Sequence, residues 1–126
     1  MKEIITTILV TLSIDAVWLY SMKGVYDKWM ASFERTVNWP AVGLVYLAIP
    51  LGLFYFVISR HLNTGLTSKA VIDAFLYGVF TYSVYDLTNM ATLKGWSPVM
   101  TAVDILWGGM LCSLATIAIL FILSKI

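Results

Sequence analysis

Four long apolar stretches dominate the chain, separated by short polar connections. The first, Ile4 to Met22, is close to the length of about 20 residues that crosses a hydrocarbon core. Lys2 precedes it, as in a secretory signal, but the run carries Asp15 and ends in Trp18-Leu19-Tyr20 instead of small residues at a cleavage site. It therefore reads as a retained helix. The second, Ala41 to Ser59, lies between Asn38-Trp39-Pro40 and Arg60-His61. Pro40 suits a first helical turn, whereas Pro50 falls mid-helix, frees the carbonyl of Tyr46 and predicts a kink. The third, Ala70 to Thr92, follows the polar turn Asn63 to Lys69; the fourth, Pro98 to Leu123, follows Lys94-Gly95-Trp96-Ser97. The pattern predicts an all-α membrane protein, a four-transmembrane-helix bundle. It forms a single domain over residues 1–126, with spans at about 4–22, 41–59, 70–92 and 98–123 and both termini on one side.

Between the first two spans, Gly24 to Trp39 is too charged to lie in lipid. Val25, Trp29, Phe33 and Val37 recur every four residues while Asp27, Lys28, Glu34 and Arg35 fall elsewhere. This spacing predicts a short amphipathic helix in the interface, between helices 1 and 2. Asp-x-x-Trp occurs twice, at Asp15 to Trp18 and Asp104 to Trp107, too short a match to mark an internal repeat.

Composition agrees with lipid as the solvent. The 126 residues are 60% hydrophobic and 12% charged, half the charge of an ordinary soluble domain, and mean hydropathy is +0.88. A formal charge of +1 excludes a basic nucleic-acid binder, and one cysteine with one histidine excludes a disulfide framework or a Cys/His zinc site. Basic residues tie across the membrane: Lys2, Arg60, Lys69 and Lys125 flank the termini's side, and Lys23, Lys28, Arg35 and Lys94 the other. Asp27 and Glu34 dilute the second group, which tips the orientation toward cytoplasmic termini in a bacterial inner membrane.

The informative residues are the acids inside the spans. Asp15, Asp86 and Asp104 each carry an insertion cost of about 2.5–3.5 kcal/mol when ionised at mid-bilayer. Thr7, Thr11, Asp15 and Trp18 share one stripe of span one; Gly78, Tyr82, Asp86 and Asn89 share one of span three, with Tyr85 beside them; Thr101, Asp104 and Gly108 share one of span four. Counting rise along each helix puts the three aspartates in one layer, displaced toward the side away from the termini. The predicted binding pocket is Asp15, Trp18, Tyr82, Tyr85, Asp86, Asn89, Asp104 and Trp107, with Asp15, Asp86 and Asp104 as the ligands of any metal. No Lys or Arg lies within a span, so the acids are protonated at rest or hold a cation.

A plainer reading stands beside this one: such hydrogen bonds can serve as polar glue between helices. The tyrosines of span three are ordinary packing residues by type, His61 reads as a solvated loop residue, Asp73 as favourable charge in a first helical turn, and Cys112 as small packing. Gly109-x-x-x-Ser113 and Gly108-x-x-x-Cys112 mark a face of span four for close helix packing, including a homodimer through Gly108, Gly109, Cys112 and Ser113.

Tyr85-Asp86-Leu87-Thr88-Asn89, continuing through Ala91-Thr92-Leu93 to Trp96 and followed by Asp104-x-x-Trp107-Gly108, resembles domain-of-unknown-function family 2177. Asp15-x-x-Trp18-Leu19 and Asn38-Trp39 also resemble its pattern, so the likeness covers nearly the whole chain. It implies a four-helix protein of a bacterial inner membrane and brings no assigned activity.

Three functions follow as expectations. The leading one is a protein that binds or transports a proton-coupled cation or small solute, since coupling needs carboxylates whose protonation depends on occupancy. Aromatic walls would suit an organic cation. An intramembrane enzyme acting on a lipid or isoprenoid is the second, disfavoured because no nucleophile sits beside a base and no intramembrane cation would grip a phosphate. The third is an assembly or scaffold subunit held together by the polar layer. No cofactor is specified.

Overall fold

A computed structural model describes residues 1–126. It contains four long helices, α1 (Lys2–Trp29), α2 (Trp39–Phe56), α3 (Ser68–Thr92) and α4 (Pro98–Leu123), with a 3-10 turn at Ile58–Arg60. Local chemistry fixes three of the four starts. The side chains of Asn38, Thr67 and Ser97 accept from the backbone N–H groups of Ala41, Ala70 and Met100, satisfying donors that a helix start leaves free. Pro40 and Pro98 occupy first-turn positions where the missing N–H costs nothing. Gly65 and Gly95 supply the positive φ in the connections on either side of α3. α2 runs through Pro50 as one helix.

The helices alternate in direction. α4 is the centre of the bundle: eleven of its residues are buried, against three of α1 and two of α2. The apolar core is displaced toward the termini and consists of Leu53, Val57, Ile58, Ala70, Ala74, Cys112, Ala115, Ile119 and Leu120. Elsewhere the arrangement is inverted. The buried residues of α1 are Thr7, Thr11 and Asp15, while Leu9 and Val17 face outward, 61% and 68% exposed. Only 24 of the 126 residues are buried, so the apolar exterior demands a nonaqueous solvent.

α3 and α4 pack closest. A Cβ on Gly78 would meet the carbonyl of Gly108, and one on Gly108 would meet the ring of Tyr82. Phe75 and Val79 fill the space beside Gly109, and the Ser113 hydroxyl donates to the Gly109 carbonyl at 2.8 Å. The small residues of α4 are thus spent inside the protomer. This corrects the homodimer expected through Gly108, Gly109, Cys112 and Ser113: Gly108, Gly109 and Cys112 are buried, and both glycines face α3.

α2 is held more loosely. Its tie to α3 is the Tyr77 hydroxyl, which donates to the Ile49 carbonyl at 2.9 Å by passing the bare face of Gly52. The interfacial helix expected between helices 1 and 2 does not form. α1 absorbs its first half and runs to Trp29, about 42 Å at 1.5 Å per residue. Residues 30–33 then turn and 34–38 have no regular structure. The cause is local: Gly24 costs a helix only about 1 kcal/mol, and the Lys23–Asp27 pair at 2.8 Å supports the turn that follows it.

His61 also departs from expectation. It is 7% exposed, and its Nε2 lies 3.0 Å from Asp73, which Lys69 also contacts at 3.0 Å. A carboxylate on the next helix gives the imidazole a partner that a loop alone would not.

The Gly78–Gly108 approach generates a prediction. Gly78→Ala is expected to lower stability by at least the about 1–3 kcal/mol of ordinary overpacking, since its obstacle is backbone. Thermal unfolding in detergent measures this, with Gly24→Ala, which has open space around it inside α1, as the control that keeps or raises stability.

Candidate functional site

The acids converge along one polar file near the end of the bundle opposite the termini. The Trp107 indole donates to Asp15 Oδ1 at 3.0 Å, tying α4 to α1. Trp107 stacks on Trp18 with ring centroids 4.2 Å apart and planes 7° from parallel. The Trp18 indole donates to the Tyr26 hydroxyl at 3.2 Å, and that hydroxyl donates to Asp104 Oδ1. A continuous chain therefore joins Asp15 through two indoles and a phenol to Asp104.

Asp86 stands at the outer end of this file. It adjoins Asp104 and the Trp96 indole, is 0% exposed, and neither of its carboxyl oxygens has a hydrogen-bond partner. The nearby indole N–H is already committed: it donates to the Thr101 hydroxyl at 3.0 Å, which donates in turn to the Ser97 carbonyl. No Lys or Arg contacts Asp86 or Asp104. A buried polar group without a partner costs about 1–3 kcal/mol, and a charged one more.

The remaining expected residues surround the pair unevenly. Tyr82 lies flat against Gly108 and fills the α3–α4 contact. Tyr85 is 57% exposed and meets Trp96 edge to face, with Asn89 beside its hydroxyl. The three aspartates do not close into a metal-ligand set, which corrects the expectation for Asp15, Asp86 and Asp104. The reason is geometric: Asp15 is spent on Trp107, and the stacked indoles stand between it and Asp104.

Two participants were not anticipated: Tyr26 and Trp96 both adjoin the carboxyls. The signal for Tyr26 was present, since Trp18 and Tyr26 are eight residues apart and share a face if the helix continues. Phe33 packs on Trp96 at 5.5 Å, so the α1–α2 connection covers this end of the site. The two main clefts lie elsewhere. One of about 350 Å³ opens between α2 and α3 beside Phe56, Tyr77 and Phe80, and one of about 270 Å³ between α1 and α2 beside Leu12 and Tyr46. Of the aspartate pair, Asp86 is fully buried and Asp104 partly exposed.

Helix length and hydropathy complete the picture. Lys2–Trp29, Trp39–Arg60 and Pro98–Leu123 are each long and apolar enough to cross a membrane. α3 falls outside that set, because its two aspartates and three tyrosines dilute its apolar residues. With an apolar exterior and acids turned inward, the molecule is a multi-pass helical membrane protein. Over residues 1–121 it matches the family described as predicted membrane protein (DUF2177), and the chain belongs to that family. No curated protein and no solved structure matches it significantly.

The two ends of the polar file should respond oppositely to substitution. Combining Asp15→Leu with Trp107→Phe in a double-mutant cycle is expected to give a favourable coupling of about 0.6–1.7 kcal/mol in unfolding free energy. Asp86→Asn is expected to raise the unfolding temperature, because the new amide can donate to Asp104 and no unpartnered acid remains.

Proposed function

We propose that this is a four-span protein of the bacterial inner membrane that binds, and exchanges against protons, a cation at the Asp86–Asp104 pair. In this reading α3 is the fourth span, with its acid facing α4 instead of lipid. Both termini are placed in the cytoplasm in this reading; each side carries four basic residues and two acids, Glu3 and Asp73 against Asp27 and Glu34. The observation that carries the proposal is the state of Asp86: fully buried, unpartnered, and next to a second acid with no basic residue nearby. Two adjacent carboxyls in a low-dielectric site do not both carry unbalanced charge, so the pair holds a proton or a cation. Exchange of one for the other is the simplest coupled chemistry available to it.

Polar glue is the competing reading, and the Asp15–Trp107 and Tyr26–Asp104 hydrogen bonds favour it for those two acids. For Asp86 it offers only a proton shared with Asp104, since neither of its oxygens accepts from another donor. Enzymatic chemistry has less support, because the site offers no nucleophile poised beside a base.

Proton release distinguishes these readings. Purified protein in weakly buffered detergent is titrated with sodium, magnesium and alkylammonium salts while pH is recorded. Wild type is expected to release protons on addition of at least one of these cations, and Asp86→Asn and Asp104→Asn to lose the response while remaining folded by circular dichroism. Undiminished release in both variants, or none in wild type, overturns the proposal.

A further inference from the structure

The side chains around Asp86 and Asp104 narrow the kind of cation. Hard divalent ions take six or more oxygen ligands, and magnesium demands near-octahedral geometry. The pair offers two carboxyls, one already bonded to Tyr26, and an aromatic cluster stands beside it: Trp96 next to Asp86, with Tyr85 and Phe33 packed on Trp96. An ammonium group asks for less. It has N–H donors for two or three acceptors and is attracted to aromatic faces, while an attached carbon chain gains from an apolar wall. Asp86 presents two oxygens with no donor assigned to either.

The cover over this end is light. Phe33 belongs to the turn after α1, where its backbone N–H donates to the Met30 carbonyl at 3.0 Å, and residues 34–38 beyond it are exposed and without regular structure. Phe33 lies outside the four helices, so moving it disturbs none of them. Tyr85, more than half exposed on α3, extends the aromatic surface outward from Trp96.

We propose that Asp86 and Asp104 form the head-group site for a primary alkylammonium ion, whose chain lies against Trp96 and Tyr85 and which enters by displacing Phe33. This rests on the cation-binding reading above and specifies its ligand class. Asp86 accepts from the ammonium N–H groups, and the proton that the carboxyl pair otherwise holds leaves to solvent, so the charge of the site is unchanged by occupancy. The pair discriminates against quaternary ammonium, which has no N–H to donate, and against metal ions, which find too few oxygens.

Equilibrium dialysis of the full-length protein in lipid nanodiscs tests this with labelled n-butylammonium as the probe, competed by tetramethylammonium, sodium and magnesium. Saturable butylammonium binding is expected that the other three do not displace, abolished in Asp86→Asn and weakened in Trp96→Phe. Phe33→Ala is expected to accelerate binding, read by stopped-flow tryptophan fluorescence. Binding of sodium or magnesium without butylammonium overturns this inference and leaves the broader cation reading standing. Equal displacement by tetramethylammonium, or undiminished binding in Asp86→Asn, also overturns it. If no cation binds wild type, both fall together. Asp86→Asn is expected to fold, since it removes an unpartnered acid; should it not, Asp104→Asn gives the same reading.

Discussion

The backbone contact between Gly78 and Gly108 is the constraint on which the rest of the molecule depends. Two helices approach so closely only where neither has a side chain, and that single point fixes how α3 lies along α4. Asp86 lies about two turns beyond Gly78 on α3 and Asp104 about one turn back from Gly108 on α4, so both fall on the same side of the contact and their side chains reach across the remaining offset to adjoin. A larger residue at either glycine would separate the acids as well as the helices. The pairing of carboxyls is thus a consequence of backbone packing, imposed against electrostatic preference and sustained by the contacts of Tyr82, Phe75 and Val79 around it.

α1 closes the bundle by a different logic. Its fully buried positions are two threonines and an aspartate, one above another on a single face, while Val10 and Ile14 pack only partly against the core and Leu9 and Val17 point away from the other helices. In water such a helix would be assembled inside out. In lipid the apolar side chains gain nothing from burial against protein, so attraction between helices falls to hydrogen bonds and close contact. The Asp15–Trp107 bond and the Trp18–Trp107 stack supply both, at one place. Structural and chemical duties are therefore divided among the acids: Asp15 holds helices, Asp104 accepts from Tyr26, and Asp86 accepts from no donor within the chain.

Much of this was legible in the residues. Hydrophobic runs and the polar turns between them marked four helices, and the fourth, Pro98 to Leu123, begins and ends where the pattern put it. The cost of charge in oil singled out the three aspartates and required them to converge, as they do in a file if not in a ring. What escaped has identifiable causes. Charged residues from Lys23 to Lys28 marked the end of an apolar run, but an apolar run and a helix need not end together, and α1 continues into the polar region. That one extension carries Tyr26 to Asp104 and displaces the interfacial helix. The small residues of α4 were legible as a close-packing face, but sequence cannot say whether the surface opposite belongs to the same chain. His61 was misread because its partner lies twelve residues away across a turn.

The slender attachment of α2 has a mechanical consequence. Along the helix proper it buries only Pro50 and Leu53, and it reaches α3 chiefly through the Tyr77 hydroxyl on the Ile49 carbonyl. The seam between α2 and α3 is therefore the compliant one, with α2 resting on α1 and anchored at its end by Val57 and Ile58, while α3 and α4 form the closest-packed pair. Lateral strain from the surrounding bilayer, such as a change in its thickness, would be taken up by α2 swinging about its two ends. The acid pair, anchored on the stiff side, would keep its spacing while the wall beside it moved.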